Sequence, residues 1–364
     1  MGRVAYFVSP HGFGHAARAC AVMAEMRRRC RDIHFDIFTE VPRWFFAESL
    51  PGDFTYHPLA SDIGLVQRSP LIEDLEATVD RLDAAPHRDG EKIRELADRL
   101  RRLGSSIVIV DVSPLGLAAA AAASLPSVLV ENFTWDWIYL NYPNSPSRLQ
   151  RHGHRMAEVF AAADLRIQTE PVCELLATAV QVPPVARSPG IERSVVRKRL
   201  GVPVDASMIV VSMGGVPWDY GGFLNFEHTS GPWIVVPGGS ERIARRRDRL
   251  LLLPFHADVY HPDLVAASDA VVSKLGYSTV AETYRAGSAF AYLKRPHFPE
   301  SPVLARWVEQ RMAATEITEE AMSDGAWLAD VDKLLKKSRR KPDELNGAVQ
   351  VAEIILERFG SVLG

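Results

Sequence analysis

The chain has 364 residues, of which 47% are hydrophobic, so it is long enough for two domains that each bury a core. It has 42 lysine and arginine residues and 45 acidic residues, and the resulting formal net charge of -3 gives no general attraction to nucleic acid. Cys20, Cys30 and Cys173 form no metal-binding spacing, and no apolar run reaches membrane-spanning length. We therefore expect a cytoplasmic protein without a signal peptide or a bound metal.

The first predicted element is a buried strand over residues 4–8, which runs into a loop rich in glycine and histidine. The loop contains His11, Gly12, Phe13, Gly14 and His15, and an amphipathic helix follows it. Strand, glycine-containing turn and helix are typical of a parallel sheet that binds its ligand at the carboxyl ends of the strands. The loop lacks the G-x-G-x-x-G pattern, which makes a dehydrogenase a poor interpretation.

Two further buried strands, predicted over residues 107–111 and 127–130, lead into acidic positions. Asp111 ends the first strand and Glu131 follows the second, so both are expected at the ligand-binding edge of the sheet. The next segment, residues 133–142, is unusually aromatic and contains Trp135 and Asp136. Its rings could stack on an acceptor molecule or pack inside the domain, and the sequence leaves both interpretations open.

Proline and glycine are dense over residues 182–190, which predicts a domain boundary. Strand patterns then restart, and one of them leads into Gly214 and Gly215. Residues 242–249 are strongly basic and are predicted to form a solvated helix or turn. The alternative is that they contact an anionic acceptor or, weakly, a membrane surface. An amphipathic helix is predicted near the end of the sequence, over residues 344–359.

The strongest local pattern lies at residues 268–282, where a short strand, a polar turn and a helix succeed one another. Ser273, Lys274, Ser278 and Thr279 place hydroxyl groups and a positive charge around a helix N-terminus, which is a typical phosphate site. Glu282, one turn into the helix, could accept hydrogen bonds from a ribose. An ordinary strand-to-helix turn with a capping hydroxyl is the plainer alternative.

Several segments together resemble a glycosyltransferase-like family that includes the N-terminal domain of plant L-arabinokinases. The matching segments are residues 11–16, 131–139, 261–269, 273–282 and 295–302, and the second half more distantly resembles MurG-type transferases. The resemblance implies an α/β protein of GT-B architecture, with two Rossmann-like, doubly wound domains facing each other across a cleft. It implies an acceptor-binding domain over residues 1–185 and a nucleotide-sugar-binding domain over 186–342. The terminal helix, residues 343–364, would cross back to the first domain.

By the same resemblance, the protein would move a sugar from a nucleotide-diphosphate sugar, expected to be a UDP-sugar, to a hydroxyl or amine of a small-molecule, glycan or lipid-linked acceptor. The reaction would invert the anomeric centre and need no metal or tightly bound cofactor. His15 would be the general base and Asp111 its partner. Acceptor binding is implied for His11, Gly12, Phe13, Gly14, Trp135 and Asp136. Donor binding is implied for Gly214, Gly215, Phe255, His256, Ser273, Lys274, Gly276, Ser278, Thr279, Glu282 and Glu300.

Two other functions fit the same architecture. A nucleotide-sugar epimerase would use carboxylates such as Asp111 and Glu131 as acid and base, and it would act on the donor without an acceptor. A non-catalytic nucleotide-sugar-binding module would bind the donor without needing His15.

Overall fold

The computed structural model describes residues 2–69, 71–84, 90–214, 230–240, 245–254, 258–337 and 341–363. The chain divides into two compact units. Unit 1 contains residues 1–186, 297–303 and 344–364, and unit 2 contains residues 187–296 and 304–343.

Unit 1 alternates strands and helices through most of its length. In chain order the elements are β1 (Arg3–Val8), α1 (Gly14–Arg29), β2 (His34–Thr39), α2 (Arg43–Ser49), β3 (Phe54–Pro58), β4 (Val66–Ser69), β5 (Ile72–Asp74), α3 (Leu75–Ala84), α4 (Gly90–Leu103), β6 (Ile107–Asp111), α5 (Pro114–Ala123), β7 (Ser127–Glu131), α6 (Trp135–Asn141), α7 (Ser147–Ala161), β8 (Leu165–Thr169) and β9 (Val180–Val182).

Seven of these strands form one parallel sheet in the order β3-β2-β1-β6-β7-β8-β9. Both faces of the sheet are buried, because alternate residues of β1 enter different cores. Val4, Tyr6 and Val8 pack with α1, whereas Ala5 and Phe7 pack with α4 and α5. The strand order reverses between β1 and β6, and in doubly wound sheets such a reversal marks the ligand-binding crevice.

Unit 2 repeats the same organisation. Its elements are α8 (Arg193–Leu200), β10 (Met208–Ser212), β11 (Trp233–Ser240), β12 (Arg245–Arg247), β13 (Leu250–Pro254), α9 (His261–Ala267), β14 (Ala270–Lys274), α10 (Tyr277–Ala286), β15 (Ala289–Leu293), α11 (Glu300–Arg311, which begins in unit 1), β16 (Ala314–Glu316), α12 (Glu319–Asp324) and α13 (Trp327–Leu335). The sheet order is β12-β13-β11-β10-β14-β15-β16, and it reverses between β10 and β14.

The last helix, α14 (Gly347–Leu363), belongs to unit 1 and shares the core of α1 and β1. Its start is held at the end of the first domain, where Asn346 donates to the carbonyl of Ala186 at 2.7 Å and Gly347 donates to that of Pro184 at 3.1 Å. Among the described residues, no helix is both long and apolar enough to cross a membrane.

The structure corrects one detail of the sequence interpretation and adds one strand to it. Where it is described, the basic run is not a helix: Arg245–Arg247 forms β12, antiparallel to β13, and residues 248–249 form the turn between the two strands. The guanidinium of Arg246 lies 4.6 Å from the ring centre of Trp233, a contact that an extended strand permits. The short edge strand β9 extends the first sheet beyond β8, and a three-residue strand of this kind leaves too weak a pattern to predict.

Candidate active site

The first candidate site lies at the strand-order reversal of unit 1. Val8, at the end of β1, pairs with Asp111, at the end of β6, so the loop that follows β1 passes directly over Asp111. The helix α1 begins at Gly14 and brings His15 back to this edge. The Nδ1 atom of His15 lies 2.8 Å from Oδ1 of Asp111, and both residues are buried. The predicted catalytic pair therefore meets in hydrogen-bonding geometry.

The protonation of Asp111 decides which nitrogen of His15 can act as a base. Burial alone would raise the pKa of Asp111, but the charge of Arg18 and hydrogen bonds from His15 and Arg18 outweigh burial and hold that pKa below its ordinary value. An ionised carboxylate only accepts hydrogen bonds. The Nδ1 atom must therefore carry the proton that points at Asp111, which leaves the lone pair of the neutral imidazole on Nε2.

Arg18 is a member of this site that the sequence did not indicate. Its guanidinium is almost fully buried and donates from Nε to Oδ2 of Asp111 at 2.8 Å and from Nη2 to Oδ1 at 2.7 Å. Its Nη1 atom donates to Oδ1 of Asn132 at 2.6 Å. Asn132 in turn donates to Oε1 of Glu300 at 2.7 Å. The side chains from His15 to Glu300 thus form one continuous polar network inside unit 1.

Aromatic rings cover one side of His15. The ring of Phe133 meets the imidazole edge-on at 5.7 Å, and the ring of Trp135 lies 6.0 Å away. Trp135 is fully buried, which is the packing inside the domain that the sequence offered as one of two interpretations. Asp136 is half-buried. His11 packs edge-on against Trp135 at 5.0 Å. These rings shape the surroundings of the two loop histidines.

A cavity of about 590 Å³ opens beside the first loop, within unit 1. Its lining includes His11, Gly12, Glu40, Asp62 and Arg81, so two acidic side chains and one basic side chain face the space. Gly12 has a φ of 72°, and a Cβ there would meet no atom of the described residues within 4 Å. The cavity has the size and mixed polarity of a small-molecule site.

Asp62 has an unusual environment in this cavity. Ser9 donates to its Oδ1 at 3.0 Å, and burial, reinforced by the nearby charges of Asp111 and Glu40, raises the pKa of Asp62 to about 8. The residue is only partly buried, so contact with water moderates the effect of burial. Asp62 is therefore a proton-carrying group at neutral pH. The sequence did not indicate Asp62, because its raised pKa comes from its surroundings in the folded protein and not from its neighbours along the chain.

The second candidate site lies at the strand-order reversal of unit 2. Ser212, at the end of β10, pairs with Ser273 of β14, so the loops after both strands meet. Gly214 has a φ of 68°, and a Cβ there would lie 3.2 Å from Cε of Lys274. The side chain of Lys274 therefore crosses over Gly214, and the structure brings these two predicted donor-binding residues together.

The N-terminus of helix α10 lies beside this loop. Gly276 is the N-cap of α10, and Ser278 and Thr279 lie in the first turn. No side chain from the described part of the chain caps that end. The hydroxyl of Ser273 is buried and has no hydrogen-bond partner among the described residues. The backbone N–H groups of a helix N-terminus and an unsatisfied hydroxyl can serve an anionic ligand.

Glu282 is not the open carboxylate that a ribose contact would use directly. It is buried, its Oε1 accepts from Nε of Arg187 at 2.8 Å, and its Oε2 lies 3.3 Å from Nδ1 of His261. Burial alone would raise the pKa of Glu282, but the charges and hydrogen bonds of Arg187 and His261 outweigh it and lower the pKa to about 2. Arg187 is a partner that the sequence gave no reason to choose.

The remaining predicted residues fall in different places. Glu300 lies in the part of the chain assigned to unit 1, where it accepts from Asn132. Phe13 stacks on Phe45 at 4.9 Å between ring centres, which fixes the middle of the first loop. Gly215, Phe255 and His256 lie outside the described residues. Among the residues that are described, no group of three or more His, Cys, Asp or Glu side chains could hold a metal ion.

Comparison with solved structures identifies the fold as that of the GT-B glycosyltransferases. Arabidopsis thaliana UGT89C1 complexed with UDP superposes with a TM-score of 0.60 at 14% identity, covering 99% of this chain and 100% of the other. The Streptomyces glycosyltransferase SsfS6 complexed with thymidine diphosphate gives 0.57 at 14% identity, covering 99% and 96%. MurG of Acinetobacter baumannii gives 0.54 at 14% identity, covering 99% and 100%. The predicted fold class is confirmed.

The similarity to plant L-arabinokinases is also confirmed. The chain is 28% identical to the L-arabinokinase of Arabidopsis thaliana over 361 residues, which cover 97% of this chain but 34% of that protein, so the chain spans about a third of its length. It is 25% identical over 246 residues to an uncharacterized glycosyltransferase of Methanopyrus kandleri, covering 62% of this chain and 68% of that protein. No family model matches the chain.

Proposed function

We propose that this protein is a glycosyltransferase that moves a sugar from a nucleotide-diphosphate sugar to a hydroxyl or amine of an acceptor bound by unit 1. The observation that carries the proposal is the hydrogen bond between His15 and Asp111 at the strand-order reversal of the first sheet. A fold alone does not define a reaction, and the side chains at the two strand-order reversals supply the chemistry.

The dyad supplies the base for an inverting transfer. Nε2 of His15 takes the proton of the acceptor group while the acceptor atom bonds to the anomeric carbon. The bond from that carbon to the diphosphate oxygen breaks, and the nucleoside diphosphate leaves with the electron pair. Asp111 holds the imidazole in the tautomer that this step needs and stabilises the imidazolium that the step forms. His15 contributes about 10²- to 10⁴-fold to the rate in this role.

Unit 2 supplies the donor site. The loops with Gly214 and Lys274 and the N-terminus of α10 would hold the diphosphate, since backbone N–H groups, hydroxyls and an ammonium group stabilise the charge that develops on the leaving group. This arrangement needs no metal ion for charge stabilisation. The solved relatives complexed with UDP and thymidine diphosphate support a nucleoside diphosphate here, and UDP is the donor base that we propose to test first.

The cavity beside the first loop is the proposed acceptor site. His11 and Gly12 line it, and the neighbouring Asp62 and Glu40 supply hydrogen-bonding oxygens for a polar acceptor. Trp135 and Phe13 act indirectly, because both pack within the protein and set the shape of the loop. Glu300 would affect the reaction indirectly, through its hydrogen bond with Asn132.

The epimerase alternative is less well supported. Glu131 is fully buried, and its Oε1 accepts from Arg166 at 2.9 Å and from Gln168 at 2.8 Å. Asp111 is held by Arg18 and His15. Two carboxyl groups fixed in this way are poorly suited to exchange protons with a sugar, whereas the second nitrogen of His15 is suited to receive one.

The proposal is tested by incubating the protein with UDP-, TDP- and GDP-sugars, each with and without a pool of sugar, polyol and amino-sugar acceptors. We expect nucleoside diphosphate release that depends on acceptor and falls at least 100-fold in His15→Ala. Interconversion of the donor sugars without acceptor would establish an epimerase. Donor binding without turnover, unchanged in His15→Ala, would establish a binding module.

A further inference from the structure

We propose that the cavity beside the first loop takes an acceptor that carries a primary amine, and that Asp62 and Glu40 hold its ammonium group. This inference rests on the proposed function, because it names the class of acceptor for the same site. An amino sugar or another small polyhydroxylated amine is the kind of molecule that fits. The transferred sugar would go to a hydroxyl group of that molecule, since an ammonium group has no lone pair with which to attack.

The cavity has a volume and a lining that suit a small ring compound. It measures about 590 Å³ and lies within unit 1. Pro10, Ile63, Leu65 and Val66 supply apolar surface, and Gln67 supplies an amide group. Apolar side chains can pack against the C–H groups of a sugar ring, while a few polar groups fix its orientation.

Asp62 and Glu40 both line this cavity, and they lie close enough for the charge of Glu40 to act on Asp62. The hydrogen bonds of Asp62 come from hydroxyl groups, with Oγ of Ser9 3.0 Å from Oδ1 and Oγ of Ser61 3.5 Å from Oδ2. In the part of the chain that the structure describes, neither carboxyl group forms an ion pair with a lysine, arginine or histidine. An ammonium group brings the missing charge, and charge-assisted hydrogen bonds are about twice as strong as neutral ones.

The cationic side chains near the cavity leave this role to a ligand. Arg81 lines the cavity but is exposed, so salt and water screen its charge. Lys92 donates to the carbonyl oxygen of Ala60 at 3.4 Å. Arg18 places its Nε and Nη2 atoms on the carboxylate of Asp111. A cation that enters with the acceptor can therefore pair with both carboxyl groups of the cavity.

The position of Asp62 allows the amine to be recognised beside the base without being attacked. The hydroxyl of Ser9 donates to Asp62, and the backbone N–H of Ser9 donates to the carbonyl oxygen of Asp111 at 3.1 Å. Asp62 thus borders the loop that leads to His15. An acceptor held through its amine at Asp62 would present its hydroxyl groups at the same edge of the sheet.

The surroundings of Asp62 make the entry of a cation measurable. Burial, reinforced by the charges of Asp111 and Glu40, raises the pKa of Asp62 to about 8, so most of the carboxyl is protonated at pH 7. An ammonium group beside it would favour the carboxylate, and Asp62 would release its proton to the solvent while the ammonium keeps its own. His11 also lines the cavity, and Tyr139, whose pKa burial raises well above its usual range, stays neutral.

The test is isothermal titration calorimetry of the whole chain at pH 7, with glucosamine and galactosamine compared with glucose, galactose and N-acetylglucosamine. We expect each amine to bind about 10-fold or more tightly than its neutral counterparts. Titrations in two buffers of different ionisation enthalpy should show the release of close to one proton for each amine bound, and none for the neutral sugars. Equal affinities, amine binding without proton release, or no amine binding would each overturn the inference.

Three variants and one metal titration assign the effect to Asp62. Asp62→Asn should abolish both the proton release and the preference for amines, because an amide cannot become an anion. Glu40→Gln should weaken amine binding less, since Glu40 is exposed, and Asp32→Asn, an exposed carboxyl elsewhere in unit 1, should leave it unchanged. Proton release that survives Asp62→Asn, or equal release on adding magnesium chloride alone, would contradict the inference.

Binding and turnover separate this inference from the proposed reaction. Amine binding with proton release, in a protein that transfers no sugar, would support the inference and refute the function. Transfer to neutral sugars with no preference for amines would support the function and refute the inference.

Discussion

His15 Nδ1 and Asp111 Oδ1 lie 2.8 Å apart, although 96 positions of the chain separate the two residues. The contact exists because β1 and β6 are adjacent parallel strands whose carboxyl ends meet at the strand-order reversal. A topological feature of the sheet therefore creates the chemical pair on which the proposed reaction depends.

The first prediction concerns the base itself. His15→Ala should reduce turnover by about 10²- to 10⁴-fold. Because the buried ring bonds to Asp111, its removal should also lower the free energy of unfolding by about 1–3 kcal/mol. Steady-state kinetics with the best donor and acceptor pair would measure the effect. His34→Ala is the matched control, because it also removes a hydrogen-bonded histidine from this sheet. His34 lies on β2, and its side chain hydrogen-bonds to Thr55 on β3. Near wild-type turnover in His15→Ala would remove the assignment.

The second prediction uses the raised pKa of Asp62. Since this pKa is about 8 in the folded protein and about 4 in the unfolded chain, the folded state keeps a proton that the unfolded state loses between those values. Stability should therefore fall as pH rises from about 4 to 8, with a slope from this group of at most about 1.4 kcal/mol per pH unit.

Asp62→Asn isolates that contribution. The variant should become progressively more stable than the wild type as the pH rises through this window, and the difference should level off above about pH 8. Urea unfolding at several pH values would measure it. Asp32→Asn, an exposed carboxyl in the same unit, is the control. An equal stability difference at pH 5 and pH 8 would show that Asp62 is ionised in the folded protein.

The third prediction concerns the buried pair of Glu282 and Arg187. Glu282→Gln should destabilise the protein by about 3–5 kcal/mol at neutral pH, because it leaves the guanidinium of Arg187 buried without its carboxylate. The exposed pair of Lys294 and Glu316 offers the control, and Glu316→Gln should cost at most about 1 kcal/mol. Equal effects from the two variants would contradict this account.

The pH dependence of the same pair has a definite sign. The pKa of Glu282 is lowered to about 2 in the folded protein, so its stabilisation is complete above the ordinary glutamate pKa and is lost as the pH falls through about 2. Acid denaturation of Glu282→Gln should therefore show a shallower dependence on pH between about 4.5 and 2 than that of the wild type.

The fourth prediction concerns the start of the final helix. A Cβ at Gly347 would lie 2.0 Å from the carbonyl oxygen of Pro183 and 3.0 Å from Cγ2 of Val185, so Gly347→Ala should cost about 1–3 kcal/mol or more. At Gly360, later in the same helix, an added Cβ would meet no atom within 4 Å in the part of the chain that the structure describes. Gly360→Ala should be neutral or stabilising by up to about 1 kcal/mol. Thermal unfolding of the two variants measures both effects, and similar values would show that α14 does not pack at its start as described.

The sequence was sufficient for features that depend on local patterns. The buried strands β1, β6, β7 and β14 are continuous apolar runs, and the turns after β1 and β14 contain glycine and polar residues that mark loops at a ligand-binding edge. The pairing of His15 with Asp111 followed from the family resemblance, and the geometry of the sheet is consistent with it.

Features that depend on contacts between distant residues were not predictable in the same way. Arg18 looks like one basic residue on a helix, and only the fold shows that its guanidinium is buried against Asp111 and Asn132. Glu282 looks available for a ligand until the structure places Arg187, 95 positions earlier, on its carboxylate. Long-range electrostatics of this kind leaves no periodic signal in the sequence.

The central claim, that unit 2 binds a nucleoside diphosphate, is tested most directly by thermal unfolding with UDP, TDP, GDP, ADP and CMP. A ligand at one hundred times its Kd adds about 2.7 kcal/mol, so one nucleotide should raise the melting temperature clearly. Ser278→Asp should abolish that rise without destabilising the free protein, because an acidic group suits a helix N-terminus but repels a phosphate. Ser147→Asp, at the start of α7 in unit 1, should leave the rise intact. A protein that no nucleotide stabilises, or whose response survives Ser278→Asp, would contradict the account.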